Sequence, residues 1–194
     1  MKSRPYVQNR RAEAAANTAA RIIEAVTHLF LESGDTPTLE AVAQRAEVAV
    51  QTILRRFGSK EGLLAAAFDD HRQRVVDQRN HAPVGDIVGA VANLGEHYAE
   101  AADVALRLLA NEGKSSAATE ATREGRAVHR AWVERVFAPF VAALDEPERE
   151  RRLVQAVVVT DVYVWKLLHR DLGLSRAETE STMVELLRRI LIST

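Results

Sequence analysis

Residues 38–64 read TLEAVAQRAEVAVQTILRRFGSKEGLL and contain two short helical segments with a three-residue connection between them. The pattern predicts the first helix over about residues 38–46, with Thr38 as its amino-terminal cap. The second helix is expected over about residues 50–57, because Gly58-Ser59 then interrupts the pattern. Two short helices at this spacing are typical of a helix-turn-helix. Helical proteins also join short helices tightly for packing alone, so the spacing by itself leaves both interpretations open.

The second of these helices carries a polar face that suits the major groove of a DNA duplex. That face is predicted to present Gln51, Arg55 and Arg56, with Val50 and Thr52 beside them. An α-helix fits the groove, which is roughly 12 Å wide. Gln pairs with adenine and Arg with guanine there, each through two hydrogen bonds. We therefore expect Gln51, Thr52 and Arg55 to reach base edges and Arg56 to contact the phosphate backbone.

Outside this segment, the composition favours helices along the whole chain. The 194 residues include only 9 Gly and 5 Pro, and no stretch gives a convincing strand pattern. Further helices are expected over about residues 14–33, 60–78, 86–100, 102–111, 117–144, 147–170 and 175–192. Ser175 followed by Glu178 predicts a capping box at the start of the last helix.

The net charge of −1 conceals an uneven distribution of charge along the chain. Residues 1–60 contain nine Lys or Arg and six Asp or Glu, which leaves 17 basic and 21 acidic residues in the remainder. The amino-terminal third is therefore at +3 and the rest at −4. This asymmetry suggests an anionic partner at the basic end, although a difference of this size also arises by chance.

Several functional classes are excluded by what the sequence lacks. Cysteine is absent, which removes disulfides, thiolate metal sites and a cysteine nucleophile. No HExxH, Walker A, GxGxxG, GxSxG or Glu-x-x-His pattern occurs, so we expect no catalytic residue, no metal and no cofactor. No apolar run approaches the roughly 20 residues of a membrane-spanning helix, and no signal peptide is evident. A cytoplasmic protein without a membrane partner is expected.

The quoted segment resembles the signature of the tetracycline-repressor (TetR) family. The matching positions are Thr38, Val42-Ala43, Ala46, Val48, Thr52, Phe57, Ser59-Lys60-Glu61 and Leu63-Leu64. The preceding helix, with Ile22, Val26 and Phe30 followed by Gly34, also looks like the first helix of that family. The resemblance is specific over about residues 17–68. Beyond them, only the chain length and the helical layout agree.

The resemblance implies an all-α protein in two parts. Residues 1–60 would form a three-helix helix-turn-helix DNA-binding domain with a basic amino-terminal arm, and residues 61–194 a helical effector-binding and dimerisation domain. Such a protein binds a palindromic operator as a dimer, most often as a repressor, and a small-molecule effector releases it. The alternative is a helical ligand-binding or protein-interaction module without specific DNA activity.

Further DNA contacts follow from the resemblance and from position. Thr38 and Lys60 each begin a helix, where backbone N–H groups favour a phosphate. Arg10 and Arg11 would form an arm that tracks phosphates or enters the minor groove, or else a solvated tail. Glu47 stands where the family usually has Gly, and a positive φ at that residue would cost Glu roughly 1 kcal/mol.

Three other positions also depart from the family pattern. Leu54 replaces the usual Tyr and removes a hydroxyl group that holds the DNA backbone, and Gly58 replaces the usual Pro. Arg56 replaces the usual His or Tyr and would substitute a charged phosphate contact, which increases the salt dependence. These departures leave the helix-turn-helix prediction intact and affect only the details of phosphate contact.

The central helices, over about residues 86–170, would contain the effector pocket in such a protein. Polar or aromatic residues on otherwise apolar faces are the candidates: His97, Tyr98, Arg107, His129, Trp132, Asp161 and Trp165. The alternative for Trp132 is a core position, and for His97 and His129 it is a surface or capped position. A carboxylate buried at Asp161 would need a partner, either across a dimer or on a ligand.

The last two predicted helices suggest a subunit interface. Apolar residues surround most of the helix expected over residues 147–170, and the final helix carries an apolar stripe at helical spacing. Two such helices from each subunit would form a four-helix bundle about a two-fold axis, as in the family. The interface candidates are Val157, Val164, Leu168, Met183, Leu186, Leu187 and Ile190. The alternative is a monomer whose last helices pack on its own body.

Overall fold

The computed structural model describes the backbone of residues 4–192 and the side chains of residues 12–192, and every regular element in that part is helical. The elements are α1 (Arg4–Ser33), α2 (Leu39–Arg45), α3 (Val50–Phe57), α4 (Lys60–Asn80), α5 (Ile87–Ala110), α6 (Ser116–Val141), α7 (Glu146–Val159), α8 (Val162–Lys166), a π-helical turn (Leu167–Asp171) and α9 (Arg176–Leu191). The all-α prediction is confirmed.

Three of the predicted helix boundaries are wrong. The first helix, α1, begins at Arg4 rather than at about residue 14, so the backbone of Arg10 and Arg11 is helical and does not form a separate arm. One continuous helix, α5, replaces the two expected over residues 86–100 and 102–111, because Ala101 and Ala102 are good helix formers that are also buried. The helix expected over residues 147–170 is interrupted at Thr160 and Asp161. The Asp161 carboxylate accepts a hydrogen bond from the Tyr163 amide at 2.8 Å and so caps a new helix, α8.

The first compact unit contains the chain up to His71 together with Arg107–Ala121. Its core is built from apolar side chains of α1, α2 and α3 that are almost inaccessible to solvent: Ile22, Val26, Phe30, Val42 and Ile53. Phe30 also meets Phe68 of α4 edge to face, with ring centroids 5.8 Å apart. This packing fixes the three amino-terminal helices against each other.

The second compact unit contains Arg72–Leu106 and the residues from Thr122 onward. Its core includes Leu94, Val133, Phe137 and Trp165, and α7 packs along α9. The predicted capping box is present: the Ser175 hydroxyl accepts from the Glu178 amide, and the Glu178 carboxylate accepts from the Ser175 amide at 2.8 Å. The functional boundary at residue 60 stays a prediction. No helix in the described part is long and apolar enough to cross a membrane.

Candidate nucleic-acid interface

Local hydrogen bonds position α2 and α3 as two short helices joined by a tight turn. The Thr38 side chain accepts from the Ala41 amide at 3.2 Å, which satisfies one of the free amides at the start of α2. After α2, the Val48 amide bonds back to the Ala43 carbonyl at 2.9 Å. Glu47 lies between them in the left-handed region, with φ 53°. The chain therefore reverses within three residues before α3 begins at Val50.

α3 is strongly two-sided, and this determines what it can present to a partner. Ile53 is completely buried, and Leu54 and Phe57 are half-buried on the same side of the helix. Gln51, Arg55 and other polar residues lie on the opposite, exposed side. The apolar side holds the helix on the first unit, and the polar side faces solvent.

The exposed cations of α3 have no acidic neighbour in the described part of the chain. No carboxylate there lies within 4.0 Å of the guanidinium of Arg55 or of Arg56, so neither charge is neutralised by the protein. Val50 and Thr52 are half-buried beside this surface. We call Val50, Gln51, Thr52, Arg55 and Arg56 the reading face; all five sequence-predicted groove residues lie on α3.

The two predicted phosphate-binding residues at helix starts are brought close together. Lys60 begins α4, and its Nζ lies 3.5 Å from the Thr36 carbonyl, two residues before Thr38. The Thr38 oxygen accepts from Ala41, so its hydroxyl hydrogen remains available to donate to an anion. Arg10 and Arg11 lie outside the residues whose side chains are described.

Two glycines near the end of α3 are required by the backbone. Gly58 ends the helix with φ 80°, which a proline, usual at this position in the resembled family, cannot adopt. A Cβ on Gly62 would lie only 2.2 Å from the Phe57 carbonyl oxygen. These positions control how α3 passes into α4, and Gly62 was not singled out from the sequence.

The strained residue Glu47 gives a stability prediction. Glu47→Gly is expected to stabilise the chain by about 1 kcal/mol, because glycine adopts a positive φ without a Cβ clash, less a few tenths for its freer unfolded state. Chemical denaturation measures this change. Glu47→Ala is the control, since it removes the charge but keeps the Cβ, and it should leave stability nearly unchanged. Equal effects of the two substitutions would contradict the strain explanation.

Residues 22–67 match the family described as bacterial regulatory proteins, tetR family. This match covers the end of α1, all of α2 and α3, and the start of α4. Residues 22–67 therefore belong to the tetR family of bacterial regulatory proteins. Proteins of this family bind DNA, which supports DNA as a partner of this segment.

Solved structures share the fold of this chain. A transcriptional regulator from Rhodococcus sp. Rha1 superposes with a TM-score of 0.71 at 19% identity, covering 90% of this chain and 96% of its own. A proposed transcriptional regulator from Pseudomonas aeruginosa PAO1 has a TM-score of 0.72 at 13% sequence identity, and the match covers 90% of each chain. A proposed transcriptional regulator from Streptomyces coelicolor A3(2) has a TM-score of 0.58 at 21% identity, and the match covers 91% of this chain and 99% of the other. The comparison with curated proteins gave no match.

Five of the seven effector candidates lie in one buried cluster of the second unit. His97 and Trp165 pack against Tyr98, with ring centroids 5.2 and 5.6 Å away, and His129 stacks on Trp132 at 6.0 Å. Thr160 connects the two groups: its carbonyl accepts from the Tyr98 hydroxyl at 2.8 Å, and its Oγ1 lies 3.1 Å from His129 Nε2. These residues, with Arg79, are called the aromatic cluster below.

Arg79 is the member of the aromatic cluster that sequence reasoning missed. Its side chain is 5% exposed, and Nη1 lies 2.8 Å from His129 Nδ1. A signal existed, because Arg79 follows Val75 and Val76 by four and three residues and so continues their side of α4. Because an arginine is rarely buried without a charged partner, this position predicts a surface residue rather than a buried one.

Burial controls the protonation of the cluster. It lowers the pKa of His129 to about 3, with the positive charge of Arg79 acting in the same direction. It also raises the pKa of Tyr98 to about 12. Both groups are therefore neutral near pH 7, and Arg79 carries the charge among these three residues.

Arg107 and Asp161 do not join the cluster. Arg107 belongs to the first compact unit, where its Nη1 would lie 2.6 Å from a Cβ at Gly34. Asn111 donates to the Gly34 carbonyl at 2.8 Å in the same region. Asp161 is half-buried, and its carboxylate caps α8 by accepting from the Tyr163 amide. A role of Asp161 toward a ligand or a second subunit stays a prediction.

The interface candidates divide by exposure. Met183 and Leu187 are completely buried in the second unit and have no surface to offer a second chain, which corrects their assignment to an interface. Leu186 is 39% exposed, and the others are half-buried: Val157, Val164, Leu168 and Ile190. Other apolar residues of the carboxyl-terminal helices are exposed but were not predicted as interface residues: Val154, Val158, Tyr163, Leu167 and Leu172.

Proposed function

We propose that this chain is a homodimeric repressor that binds a palindromic operator and is released by a small-molecule effector. The observation that carries the proposal is the reading face on α3, whose exposed Gln51, Arg55 and Arg56 are held by the buried Ile53 on the opposite side. A rigid amphipathic helix with unneutralised cations is what major-groove recognition needs.

The contacts divide into those that read bases and those that fix the register. Gln51 and Arg55 are long enough to pair with base edges, each worth about 1–3 kcal/mol of discrimination. The methyl groups of Val50 and Thr52 suit the thymine methyl. Arg56, Lys60 and the Thr38 hydroxyl would bind phosphates, which positions the helix without reading sequence.

Exposed apolar side chains on the carboxyl-terminal helices support a dimer. Val154 and Val158 on α7 are 44% and 57% exposed, and Tyr163 and Leu167 are 55% and 49% exposed. Apolar residues at one side of a helix are normally covered in the functional state. A two-fold contact here would place two reading faces one DNA turn, or a multiple of about 34 Å, apart.

The dimer gives a direct mutational prediction. Val158→Asp should convert the dimer into a monomer at micromolar concentration, because it introduces an unpaired charge into the proposed interface. Sedimentation equilibrium measures the mass. Val88→Asp is the matched control, since Val88 is a similarly exposed valine (51%) on α5. A dimer that persists in the Val158 variant would contradict this interface.

Effector binding would act by shifting the population of two conformations. A ligand in the second compact unit would favour one conformation over another only by binding it more tightly. α4 supplies residues to both compact units, so a rearrangement at its carboxyl-terminal end has a route to its amino-terminal end beside α3. Release of DNA follows when the favoured conformation has the wrong spacing of reading faces.

Selection of bound DNA from random duplexes tests the function as a whole. We expect enrichment of an inverted repeat whose half-sites are one or more helical turns apart, because a two-fold dimer presents two identical reading faces. Enrichment of a single half-site would contradict the dimer. No enrichment of any sequence would favour a helical ligand-binding or interaction module instead.

A further inference from the structure

The guanidinium of Arg79 is a buried cation without an anionic partner. Its side chain is 5% exposed, and no carboxylate in the described part of the chain lies within 4.0 Å of it. Nη1 lies 2.8 Å from His129 Nδ1 and Nη2 donates to the Tyr98 hydroxyl at 3.4 Å, whereas Nε has no partner. A charge removed from water is costly unless it is paired, so this arrangement needs a reason.

The hydrogen bonds around Arg79 do not supply the missing negative charge. Because Arg donates only, His129 Nδ1 must accept, which puts the imidazole hydrogen on Nε2 next to the Val157 carbonyl at 3.3 Å and Thr160 Oγ1 at 3.1 Å. Tyr98 donates its hydrogen to the Thr160 carbonyl at 2.8 Å. Both partners of Arg79 are therefore neutral acceptors.

The end of α4 adds positive charge rather than removing it. The carbonyls of a helix carboxyl terminus attract a cation, but Arg135 already uses them, with its Nη2 donating to the Arg79 carbonyl at 2.9 Å and its Nη1 to the Ala82 carbonyl at 3.5 Å. Asp161 lies near enough to contribute to the raised pKa of Tyr98, yet its carboxylate is occupied as the cap of α8. The guanidinium of Arg79 therefore has neither these carbonyls nor a carboxylate as its partner.

A second buried donor beside Arg79 also lacks an acceptor. Cζ of Arg79 lies 5.5 Å from the ring centroid of Trp132 and 5.6 Å from that of Tyr98, so the guanidinium sits over aromatic faces. Trp132 is 4% exposed, and its Nε1 has no hydrogen-bond partner. Two unsatisfied N–H donors and one unpaired cation therefore occur together, and each such buried group needs an explanation.

We propose that the effector carries a single carboxylate that binds Arg79, with a flat apolar body against Trp132 and Tyr98. The carboxylate offers acceptors for Arg79 Nε and Trp132 Nε1, and one negative charge matches the one uncompensated cation. A dianion would leave an unpaired negative charge among buried rings. That this ligand acts as an effector rests on the proposed function. Binding of the ligand to Arg79 is tested without DNA.

Thermal melting of the full chain with benzoate and benzamide tests the site. At about 10 mM, benzoate should raise the melting temperature by about 3 °C if its dissociation constant is about 1 mM, and the neutral, equally flat benzamide should not. Arg79→Met should abolish the benzoate shift. Arg152→Met is the control, because Arg152 is an arginine of the same unit already paired with Glu148, and its shift should equal that of wild type.

A fluorescence titration keeps the proposal testable if Arg79→Met folds poorly. Trp165→Phe leaves Trp132 as the single tryptophan of the chain, so its emission should change as benzoate binds. Adding Arg79→Lys keeps the charge but removes Nε and the planar fork, and should weaken benzoate binding about tenfold. An equal benzoate response with and without Arg79, an equal response to benzamide, or no response of wild type to benzoate would overturn the proposal.

The operator experiment separates the two hypotheses. With the selected duplex in hand, benzoate should release DNA from wild type and not from Arg79→Met. If the protein binds benzoate through Arg79 but selects no DNA, the anion site is supported and the repressor function is contradicted. If it selects DNA but does not respond to benzoate, the repressor function is supported and the anion site is contradicted.

Discussion

A variant in which Gln51 and Arg55 are both alanine will lose sequence-specific DNA binding and still melt cooperatively near the wild-type temperature. Both side chains are exposed on α3, and the buried Ile53 that anchors the helix is untouched. Surface substitutions of this kind usually change stability by less than about 0.5 kcal/mol. The measurement pairs a DNA-binding assay, with the selected duplex and a scrambled duplex, and a thermal melt.

The size of the effect follows from the number of contacts. Two base-reading side chains in each of two subunits make four contacts, each worth about 1–3 kcal/mol. Their sum is comparable to the whole gap of about 4–10 kcal/mol between specific and non-specific binding. The variant should therefore bind the selected and the scrambled duplex with equal affinity. That affinity should be slightly below the affinity of the wild type for the scrambled duplex, because the positive charge of Arg55 is lost.

Lys114→Ala is the matched control for this variant. Lys114 is an exposed cation of the same compact unit, outside α3, so its loss removes one positive charge per subunit without touching the reading face. It should preserve discrimination between the two duplexes. Unchanged discrimination in the Gln51, Arg55 double variant would contradict the assignment of α3 as the reading helix.

Raising the salt concentration from about 50 to about 200 mM should weaken operator binding by about 10² to 10⁴. Each neutralised phosphate releases counterions and adds about −0.9 to the slope of log affinity against log salt. Arg56 and Lys60 give four phosphate-binding cations per dimer, and the predicted DNA contacts Arg10 and Arg11 raise this number to eight. These two counts set the expected range.

Two substitutions separate phosphate contacts from base contacts. Arg56→Ala should reduce the magnitude of the salt slope by about 2 per dimer and weaken specific and scrambled duplexes alike. Gln51→Ala should leave the slope unchanged and lower only the specific affinity. A salt-independent affinity in the wild type would favour an interaction module over a DNA-binding protein.

Much of the helix-turn-helix could be predicted from sequence because its determinants are local. The limits of α3, the Thr38 cap, the Ser175–Glu178 capping box and the all-α class depend on residues a few positions apart. Even the positive φ at Glu47 was anticipated as a condition, because a family glycine is replaced there. The order of polar and apolar residues within the eight positions of α3 also predicts which side of the helix is polar.

The break in the helix expected over residues 147–170 shows where local reasoning fails. No Gly or Pro follows Pro147 in this run, yet the helix breaks at Thr160, which is completely buried and whose hydroxyl donates to the Ala156 carbonyl at 2.7 Å. Its carbonyl accepts from Tyr98, which is 62 residues away in the chain. A hydrogen bond of that sequence separation cannot be inferred from periodicity.

The sequence by itself determined that the chain is helical, that α2 and α3 form a helix-turn-helix, and which α3 side chains face outward. Only the tertiary structure decided which apolar residues of α9 are core, because Met183 and Leu187 share their stripe with the exposed Leu186. It also brought Arg79 under the aromatic rings of α5 and α6. Periodicity specifies a face of a helix, whereas burial depends on which other helix covers that face.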